Sequence, residues 1–203
     1  PQWADDLNMS IEPADLSADD KVHFTFAGNI GKVQNLENII NAFCLLSSEY
    51  QEKSQFNIIG DGSNLGNLKQ LANNSPNIVF HGKKPRPDMA SYYKASDFLI
   101  ISLIDEPIFS VTVPAKTQTY IAAKKPILAI INGDTASIIQ DNNLGLCADP
   151  SKIDDIAVIF QRCIDMGQTE IQSFTNENDR LLATIFNKEK TIGKLLKLVT
   201  GKD

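Results

Sequence analysis

The sequence is poor in the residues that build metal and redox centres. It has three cysteines, which are far apart and lack metal-ligand spacing, and two histidines. Cysteines in such a pattern are typical of small buried side chains in a reducing compartment. No transition-metal centre is expected, because it needs clustered cysteine or histidine ligands. Neither a Ser/His/Asp or Cys/His arrangement nor the paired carboxylates of a glycoside hydrolase are indicated.

Basic charge and long apolar runs are also scarce. The formal net charge is -6 and no basic block occurs, which argues against non-specific nucleic-acid binding but allows a local cationic pocket. No apolar run reaches the roughly 18 residues of a membrane-spanning helix. The chain begins with proline and shows no signal-peptide pattern. We therefore expect a cytoplasmic domain without a transmembrane segment, cut from a longer protein.

What the sequence does contain is an alternation of short apolar runs and helical stripes. With 42% hydrophobic residues, it can bury a sizeable core. Runs typical of buried strands lie at 22–27, 56–59, 78–80, 98–102, 126–131 and 144–147, and apolar residues recur at helical spacing between them. This pattern predicts an α/β fold, a Rossmann-like doubly wound parallel sheet of about six strands with helices on both faces.

The same pattern divides the chain into three segments. Residues 1–20, with five aspartates and two prolines, are predicted to be a lead-in on the surface. Residues 21–177 are predicted to form the Rossmann-like domain. Residues 178–203 are predicted to be helical, packed on this domain or turned toward a further one.

In a sheet of this kind the ligand binds beyond the carboxyl ends of the strands, so the loops there are the candidate site. The first, residues 28–34, is a glycine-containing turn whose backbone N–H groups suit a phosphate ahead of a helix. It is neither a dinucleotide fingerprint nor a P-loop, and a tight turn without a ligand is the equal alternative. The second, residues 60–63, is better interpreted as a turn that ends in a helix cap at Ser63.

A third loop carries both acidic and basic side chains. Asp105 and Glu106 follow a buried strand directly, where they could bind sugar hydroxyls or simply be solvated. Lys116 lies in the first turn of a helix predicted at 114–123, which Pro114 begins. The helix dipole disfavours a cation there, so an anionic ligand such as a diphosphate would explain this lysine. An exposed lysine without a ligand is the alternative, and His81, after the third strand, is predicted to be structural.

Taken in order, these segments resemble a known family. Residues 28–37 (GNIGKVQNLE) resemble the opening of bacterial glycosyltransferases of the GT4 type. Further segments that resemble the family are PQWADD at 1–6, IIGDG at 58–62, NIVFHG at 77–82, ASD at 95–97, PAKTQTYIAAKKPI at 114–127 and GDTA at 133–136. Their order and spacing over nearly the whole chain carry the resemblance. The branch most resembled is that of O-antigen and capsule synthesis, including N-acetylfucosamine transferases.

The resemblance implies the C-terminal half of a GT-B fold, in which two Rossmann-like domains face each other across the active-site cleft. This half binds the donor, a nucleoside-diphosphate sugar, and the expected donor is UDP-linked. The family transfers a hexosyl or N-acetylhexosaminyl group with retention to a glycan or lipid-linked acceptor and needs no metal. The partners implied are the missing N-terminal domain and these substrates, with no nucleic acid. Peripheral attachment to the inner face of a membrane through that missing domain is left open.

The resemblance also assigns roles to individual residues. Those that would face the diphosphate are Gly28, Asn29, Ile30, Gly31, Lys32 and Gln34. Those that would run beside the base are Gly82, Lys83 and Lys84. The candidate catalytic residues beside the donor sugar are Asp105 and Glu106. Those that would approach sugar and phosphate are Ser110, Val111, Thr112 and Lys116. Thr119 falls where many relatives have the second glutamate of an E-x7-E motif, which binds the ribose hydroxyls.

Three of these positions depart from the family's pattern. Asn29 and Gln34 stand where many relatives have Arg and Lys. Thr119 cannot accept two hydroxyl hydrogen bonds as a carboxylate can. Neutralisation of the diphosphate would then fall to Lys32, Lys116 and backbone amides.

Two other functions stay open on the sequence alone. An epimerase acting on a UDP-N-acetylhexosamine would need acid and base groups across the cleft, and the scarcity of histidine disfavours it. A non-catalytic nucleotide-sugar-binding module is suggested by the replaced glutamate at Thr119. As a transferase half without its acceptor domain, the isolated chain is expected to be inactive.

Overall fold

The computed structural model describes residues 7–16, 20–73 and 75–200. The segment PQWADD at 1–6, which resembles the family, lies outside the described residues. The strands are β1 (Val22–Ala27), β2 (Ser54–Ile59), β3 (Ile78–Gly82), β4 (Phe98–Ser102), β5 (Ile127–Ile130) and β6 (Gly145–Ala148). The helices are α1 (Leu36–Cys44), α2 (Ser48–Glu52), α3 (Leu65–Leu71), α4 (Met89–Ala95), α5 (Pro107–Ser110), α6 (Ala115–Ala122), α7 (Asp134–Asp141), α8 (Ile153–Asp165), α9 (Gln168–Ser173), α10 (Asn178–Ala183) and α11 (Lys188–Thr200). Short 3-10 turns cover Lys32–Gln34 and Arg86–Asp88.

The six strands form one parallel sheet in the order β3-β2-β1-β4-β5-β6. This is the order of a Rossmann-type doubly wound sheet, in which the direction of winding reverses between β1 and β4. In sheets of this kind, a ligand binds at the carboxyl edge near the strands where the winding reverses. The predicted fold class is therefore confirmed.

Apolar side chains bury both faces of this sheet. Successive residues of a strand point to opposite faces, so Phe24 and Phe26 of β1 join one apolar cluster, together with α1, α3 and α8. The Phe160 ring of α8 packs edge-on against Phe24, with centroids 4.7 Å apart. Leu99 of β4 belongs to a second cluster, which α6, α7 and α10 cover. Helices thus cover both faces of the sheet and leave its carboxyl edge open to the loops.

The second face is polar where β1, β2 and β3 run side by side. His81 Nε2 donates to Asn57 Oδ1 at 2.8 Å. Gln55 Nε2 donates to the same oxygen at 2.8 Å and to the Leu16 carbonyl at 3.0 Å. Burial, and next the charge of Lys84, lower the pKa of His81. These bonds fit the structural role predicted for His81.

Several boundaries differ from the sequence prediction. Ser63 does not cap α3, which begins at Leu65 after Asn64. The Asn64 amide instead donates to Glu37 of α1 at 2.6 Å, so a tertiary contact decides where this helix starts. The segment predicted as a loop at 103–113 contains the one-turn helix α5. Pro114 precedes α6 instead of lying inside its first turn.

The flanking segments pack on the sheet domain where the structure describes them. In the lead-in, Ala14 N donates to the Ser91 carbonyl at 3.0 Å. At the other end, the buried Asn178 side chain donates to the Ile121 carbonyl at 3.0 Å, and Leu181 is fully buried. The first part of the predicted C-terminal segment is thus joined to α6. Among the described residues, no helix is long and apolar enough to cross a membrane.

Candidate functional site

A cleft opens at the carboxyl edge of the sheet, at the end of β1. Its first chamber, about 670 Å³, lies among the loops that follow β1, β2 and β3. Its second chamber, about 870 Å³, lies among the lead-in, α4 and the start of α6. The two chambers are neighbours, because five lining residues belong to both, namely Ala27, Gly28, Arg86, Met89 and Tyr93.

The floor of the first chamber is backbone that only glycine allows. Gly28 N donates to the Ile59 carbonyl and Gly60 N to the Gly82 carbonyl, each at 2.9 Å. A Cβ on Gly60 would lie 1.8 Å from the Gly28 carbonyl oxygen, and its φ of 143° is one that side chains rarely adopt. The first two loops therefore touch through main chain, with no side chain between them.

Lys116 reaches from α6 to a point beneath Gly28. Its Nζ lies 3.5 Å from the centroid of the Phe26 ring and 2.9 Å from where a Cβ on Gly28 would stand. The stem of the side chain is partly exposed, whereas Nζ is buried and has no hydrogen-bond partner among the described residues. Burial lowers the pKa of Lys116 from 10.5 to about 7. Such an ammonium is costly unless something anionic meets it.

The cleft is cationic although the whole chain is acidic. Among the described residues that line the two chambers, four carry positive side chains, Lys83, Lys84, Arg86 and Lys116, and one, Asp61, carries an acid. A concave surface lined with one sign of charge concentrates ligands of the opposite sign. The cleft is therefore suited to an anion. Within the described ranges, no group of three or more His, Cys, Asp and Glu side chains could hold a metal ion.

The structure brings six of the predicted residues together around the chambers. They are Gly28, Asn29, Lys83, Lys84, Lys116 and Thr119. Eight others lie in the loops after β1 and β4 and line neither chamber. They are Ile30, Gly31, Lys32, Gln34, Asp105, Glu106, Val111 and Thr112. Gly82 ends β3 and Ser110 ends α5, and these two also line neither chamber.

The turn after β1 is braced by its own polar side chains. Gln34 Oε1 accepts from Gly31 N at 3.0 Å and from Asn29 Nδ2 at 3.5 Å. Ile30 is fully buried, and its N–H donates to the Asp61 carbonyl at 2.8 Å. Many relatives are expected to carry Arg and Lys where this chain has Asn29 and Gln34. Here these two side chains bond to each other and brace the turn. Beneath Gly28 the positive charge comes from Lys116 of α6.

The acidic pair after β4 stands at the surface. Asp105 and Glu106 are exposed, and Asp105 Oδ1 accepts from Asn132 Nδ2 at 3.1 Å. This loop adjoins the turn after β1, because Ile104 N donates to the Val33 carbonyl at 2.9 Å. A ligand held at Gly28 and extending over that junction would approach the acids. Their predicted role beside the sugar stays a prediction.

The hydroxyl groups of the same loop bond to its own backbone. Ser110 Oγ and Thr112 Oγ1 donate to the carbonyls of Pro107 and Ile108, each at 2.7 Å. Val111 is 72% exposed. These contacts order the loop, while the predicted approach of its residues to a ligand stays a prediction.

Several residues of the cleft were not predicted. Arg86 continues the basic segment at 83–84, and that continuation was a usable signal. Met89 and Tyr93 are four apart on α4 and resemble an ordinary core stripe. The lead-in residues that line the second chamber, Leu7, Asn8 and Ile11, carried no signal in the sequence, because only the tertiary fold places them there.

Residues 10–180 match the family model described as glycosyl transferases group 1. The chain belongs to this family. It is 31% identical over 132 residues to the probable glycosyltransferase WbjE of Pseudomonas aeruginosa, a match that covers 63% of this chain and 32% of WbjE. The chain thus spans about a third of this relative. The predicted resemblance to the family is confirmed, while the N-acetylfucosamine branch stays a prediction.

Solved structures show the same fold. The C-terminal domain of LpcC, a glycosyl transferase group 1 protein of Francisella tularensis, matches with a TM-score of 0.66 at 17% identity. That match covers 90% of this chain and 100% of the LpcC domain. HepE of Anabaena, solved with UDP and glucose, matches with a TM-score of 0.70 at 12% identity, over 89% of this chain and 48% of HepE. The fold is therefore that of the C-terminal, Rossmann-like half of a GT-B protein.

Proposed function

We propose that the chain is the donor-binding half of a glycosyltransferase that transfers a sugar, with retention, from a nucleoside-diphosphate sugar. The expected donor is UDP-linked, and the acceptor is a surface polysaccharide of the O-antigen or capsule type, or its lipid carrier. The proposal rests mainly on the position of Lys116. Its buried ammonium lies beneath Gly28 and has no hydrogen-bond partner among the described residues. Family membership supports the reaction class.

The chemistry needs positive charge at the departing diphosphate. As the bond from the sugar to the diphosphate breaks, negative charge grows on the leaving phosphate oxygens. Donors fixed in advance in a site of low polarity stabilise that charge more than water does. Lys116 is the donor proposed for this role, and the turn with Lys32 would border it. The N–H groups of Gly28, Ile30 and Gly31 already donate within the chain. We expect no metal and no other cofactor, because cationic side chains supply the charge.

The rest of the donor is proposed to follow the two chambers. By the family resemblance, the base would lie beside residues 82–84 and the ribose beside Thr119, which lines the second chamber. The sugar would extend toward Asp105 and Glu106. This route joins the three regions through Gly28, which both chambers share.

Calorimetric titration of UDP, GDP and inorganic pyrophosphate into the chain tests the proposal. We expect at least one nucleotide and pyrophosphate to bind, and Lys116→Met to weaken both about tenfold or more, since a charge-assisted hydrogen bond is lost. The exposed Lys152 of the α8 N-cap provides the control variant Lys152→Met, which should bind as the wild type does. If no nucleotide or pyrophosphate binds at millimolar concentration, the proposal is wrong.

A second candidate is a nucleotide-sugar-binding module that does no chemistry. Thr119 favours it, since its hydroxyl donates weakly to the Ala115 carbonyl at 3.3 Å and offers no carboxylate to the second chamber. The test is sugar transfer by a longer protein that carries this domain. If that protein transfers sugar and the Lys116→Met variant does not, the hypothesis of a non-catalytic module is wrong.

A further inference from the structure

The amine of Lys116 lies where no ligand in the cleft can touch it. The stem of the side chain lines the second chamber. Nζ, in contrast, is buried over the face of the Phe26 ring, 3.5 Å from its centroid. A charge-assisted hydrogen bond needs the nitrogen and a phosphate oxygen within about 3 Å of each other. The side chain must therefore move before an anion in either chamber can accept from it.

The amine reaches this ring by crossing the plane of the sheet. Phe26 belongs to the apolar cluster that α1, α3 and α8 cover, whereas α6, which carries the amine, covers the opposite face. β1 pairs with β4 at Phe24 and Thr25 and runs on to Ala27, so the crossing lies beyond the last of these pairs. Gly28 makes room for it, because a Cβ there would lie 2.9 Å from Nζ. The chain thus holds the amine in a defined position.

The Phe26 ring suits this amine only in the absence of a ligand. The face of an aromatic ring attracts an ammonium, but it does not replace the hydrogen bonds that water or a phosphate oxygen offers. Nζ has no hydrogen-bond partner among the described residues, and burial lowers the pKa of Lys116 to about 7. The ionisable groups that line the same chamber in the described part of the chain are Arg86 and Tyr93, and Tyr120 lies one turn further along α6. None of the three is a carboxylate that could pair with the amine.

We infer that Phe26 is a positioning residue, whose ring holds the amine of Lys116 beneath Gly28 in the free chain until an anionic ligand displaces it into the second chamber. The inference rests on the proposed function, because it needs a diphosphate or a similar anion at Gly28. The ring then competes with the ligand for the amine. Once displaced, the amine is held on the bound diphosphate, so it is in place before the bond to the sugar breaks.

Calorimetric titration of inorganic pyrophosphate into Phe26→Leu tests this competition, because leucine keeps most of the volume and lacks the aromatic face. At pH 6, where the amine is charged, the variant should bind pyrophosphate about three- to tenfold more tightly than the wild type. If the amine donated from its place over the ring, the variant would bind more weakly instead. At pH 9 the two chains should bind alike, since a neutral amine is not attracted to the ring.

Phe24→Leu is the matched control. Phe24 lies on the same strand as Phe26, is equally buried and belongs to the same cluster, but its ring packs against those of Phe98 and Phe160. Its replacement should lower the stability of the fold and leave the affinity for pyrophosphate unchanged at both pH values. If Phe24→Leu binds pyrophosphate as tightly as Phe26→Leu does, loosened packing is responsible and the inference is wrong.

A second measurement reads the wild type itself and so does not depend on Phe26→Leu folding. With ¹³C-labelled lysine, the ε-methylene signal of Lys116 is assigned by its loss in Lys116→Met. The Phe26 ring should displace this signal in the free chain, and pyrophosphate should return it to the ordinary position of a lysine. If pyrophosphate binds while the signal stays displaced, or if Phe26→Leu binds more weakly at pH 6, the inference is wrong and the proposed function stands. If the wild type binds neither pyrophosphate nor a nucleotide, the proposed function fails and the inference with it.

Discussion

At the scale of a single residue, the buried ammonium of Lys116 is proposed to favour ligand binding while it lowers the stability of the fold. Burial holds its pKa at about 7 in the folded chain, against 10.5 for the ordinary group. Between these values the unfolded chain binds more protons, so the stability of the fold rises with pH across that window. The destabilisation is complete below pH 7 and absent above about 10.5. A group placed at such a cost is expected where function needs it.

Lys116→Met should therefore make the chain more stable and less able to bind. At pH 6 we expect the free energy of unfolding to rise by on the order of 5 kcal/mol, because the buried charge is removed. The gain should shrink as the pH approaches 10. Urea denaturation followed by circular dichroism at pH 6 and pH 9 measures it, with Lys152→Met as control. A gain of equal size at both pH values would mean that packing, and not charge, is responsible.

At the scale of elements, the loops of the cleft act as one unit because their backbones touch. The Gly60 and Gly28 peptides leave no room for a side chain between the ends of β1 and β2. The turn after β1 is closed by Asn29 and Gln34, and α6 supplies the cation. The cation beneath Gly28 thus comes from α6, a neighbouring element, and not from the turn itself.

Although Gly60→Ala adds only one methyl group, it should strongly destabilise the contact between the loops after β1 and β2. The new methyl group would meet the Gly28 carbonyl at 1.8 Å and sit at a φ of 143°. We expect a loss of about 2 kcal/mol or more in the free energy of unfolding and weaker binding of nucleotide and pyrophosphate. Thermal unfolding and titration measure the two effects.

Gly66→Ala is the matched control for that variant. Gly66 lies exposed in α3, and a Cβ there would meet nothing within 4 Å. Alanine in a helix is favoured over glycine by roughly 0.5–1 kcal/mol, so this variant should be slightly more stable and bind normally. If Gly60→Ala and Gly66→Ala have similar melting temperatures and similar affinities for the nucleotide, the predicted steric clash at Gly60 is wrong.

At the scale of the whole molecule, the chain matches only part of the length of its relatives. It covers 32% of WbjE and 48% of HepE, so a transferase of this family is expected to need a further domain for its acceptor. We predict that the 203-residue chain binds donor but transfers no sugar.

Chromatography of a nucleotide sugar incubated with the chain, with and without a longer protein that carries the same domain, tests this. The isolated chain should leave the donor intact, and the longer protein should use it when an acceptor is present. Transfer by the isolated chain would contradict the prediction. Consumption of donor by the longer protein without any acceptor would favour the epimerase instead.

Much of the fold could be predicted because its signals are local. Short apolar runs, the helical stripe from Leu36 and the turns that begin at Gly28 and Gly133 depend on neighbouring residues. The six strands and the set of loops at their carboxyl ends follow from these signals. Ser63 failed as a cap because a distant contact, between Asn64 and Glu37, decides where α3 begins.

Local patterns in the sequence were thus enough to predict the parallel sheet, the edge where a ligand should bind and, through ordered motifs, the family. Which of the predicted residues lie close together depends on the tertiary structure. It brought Lys116 beneath Gly28, paired Asn29 with Gln34 and folded Ile11 against the second chamber. The physical reason is that these contacts join segments far apart in the chain or depend on side-chain direction. These contacts depend on the strand order and on the reversal of winding between β1 and β4. Neither can be predicted from local periodicity.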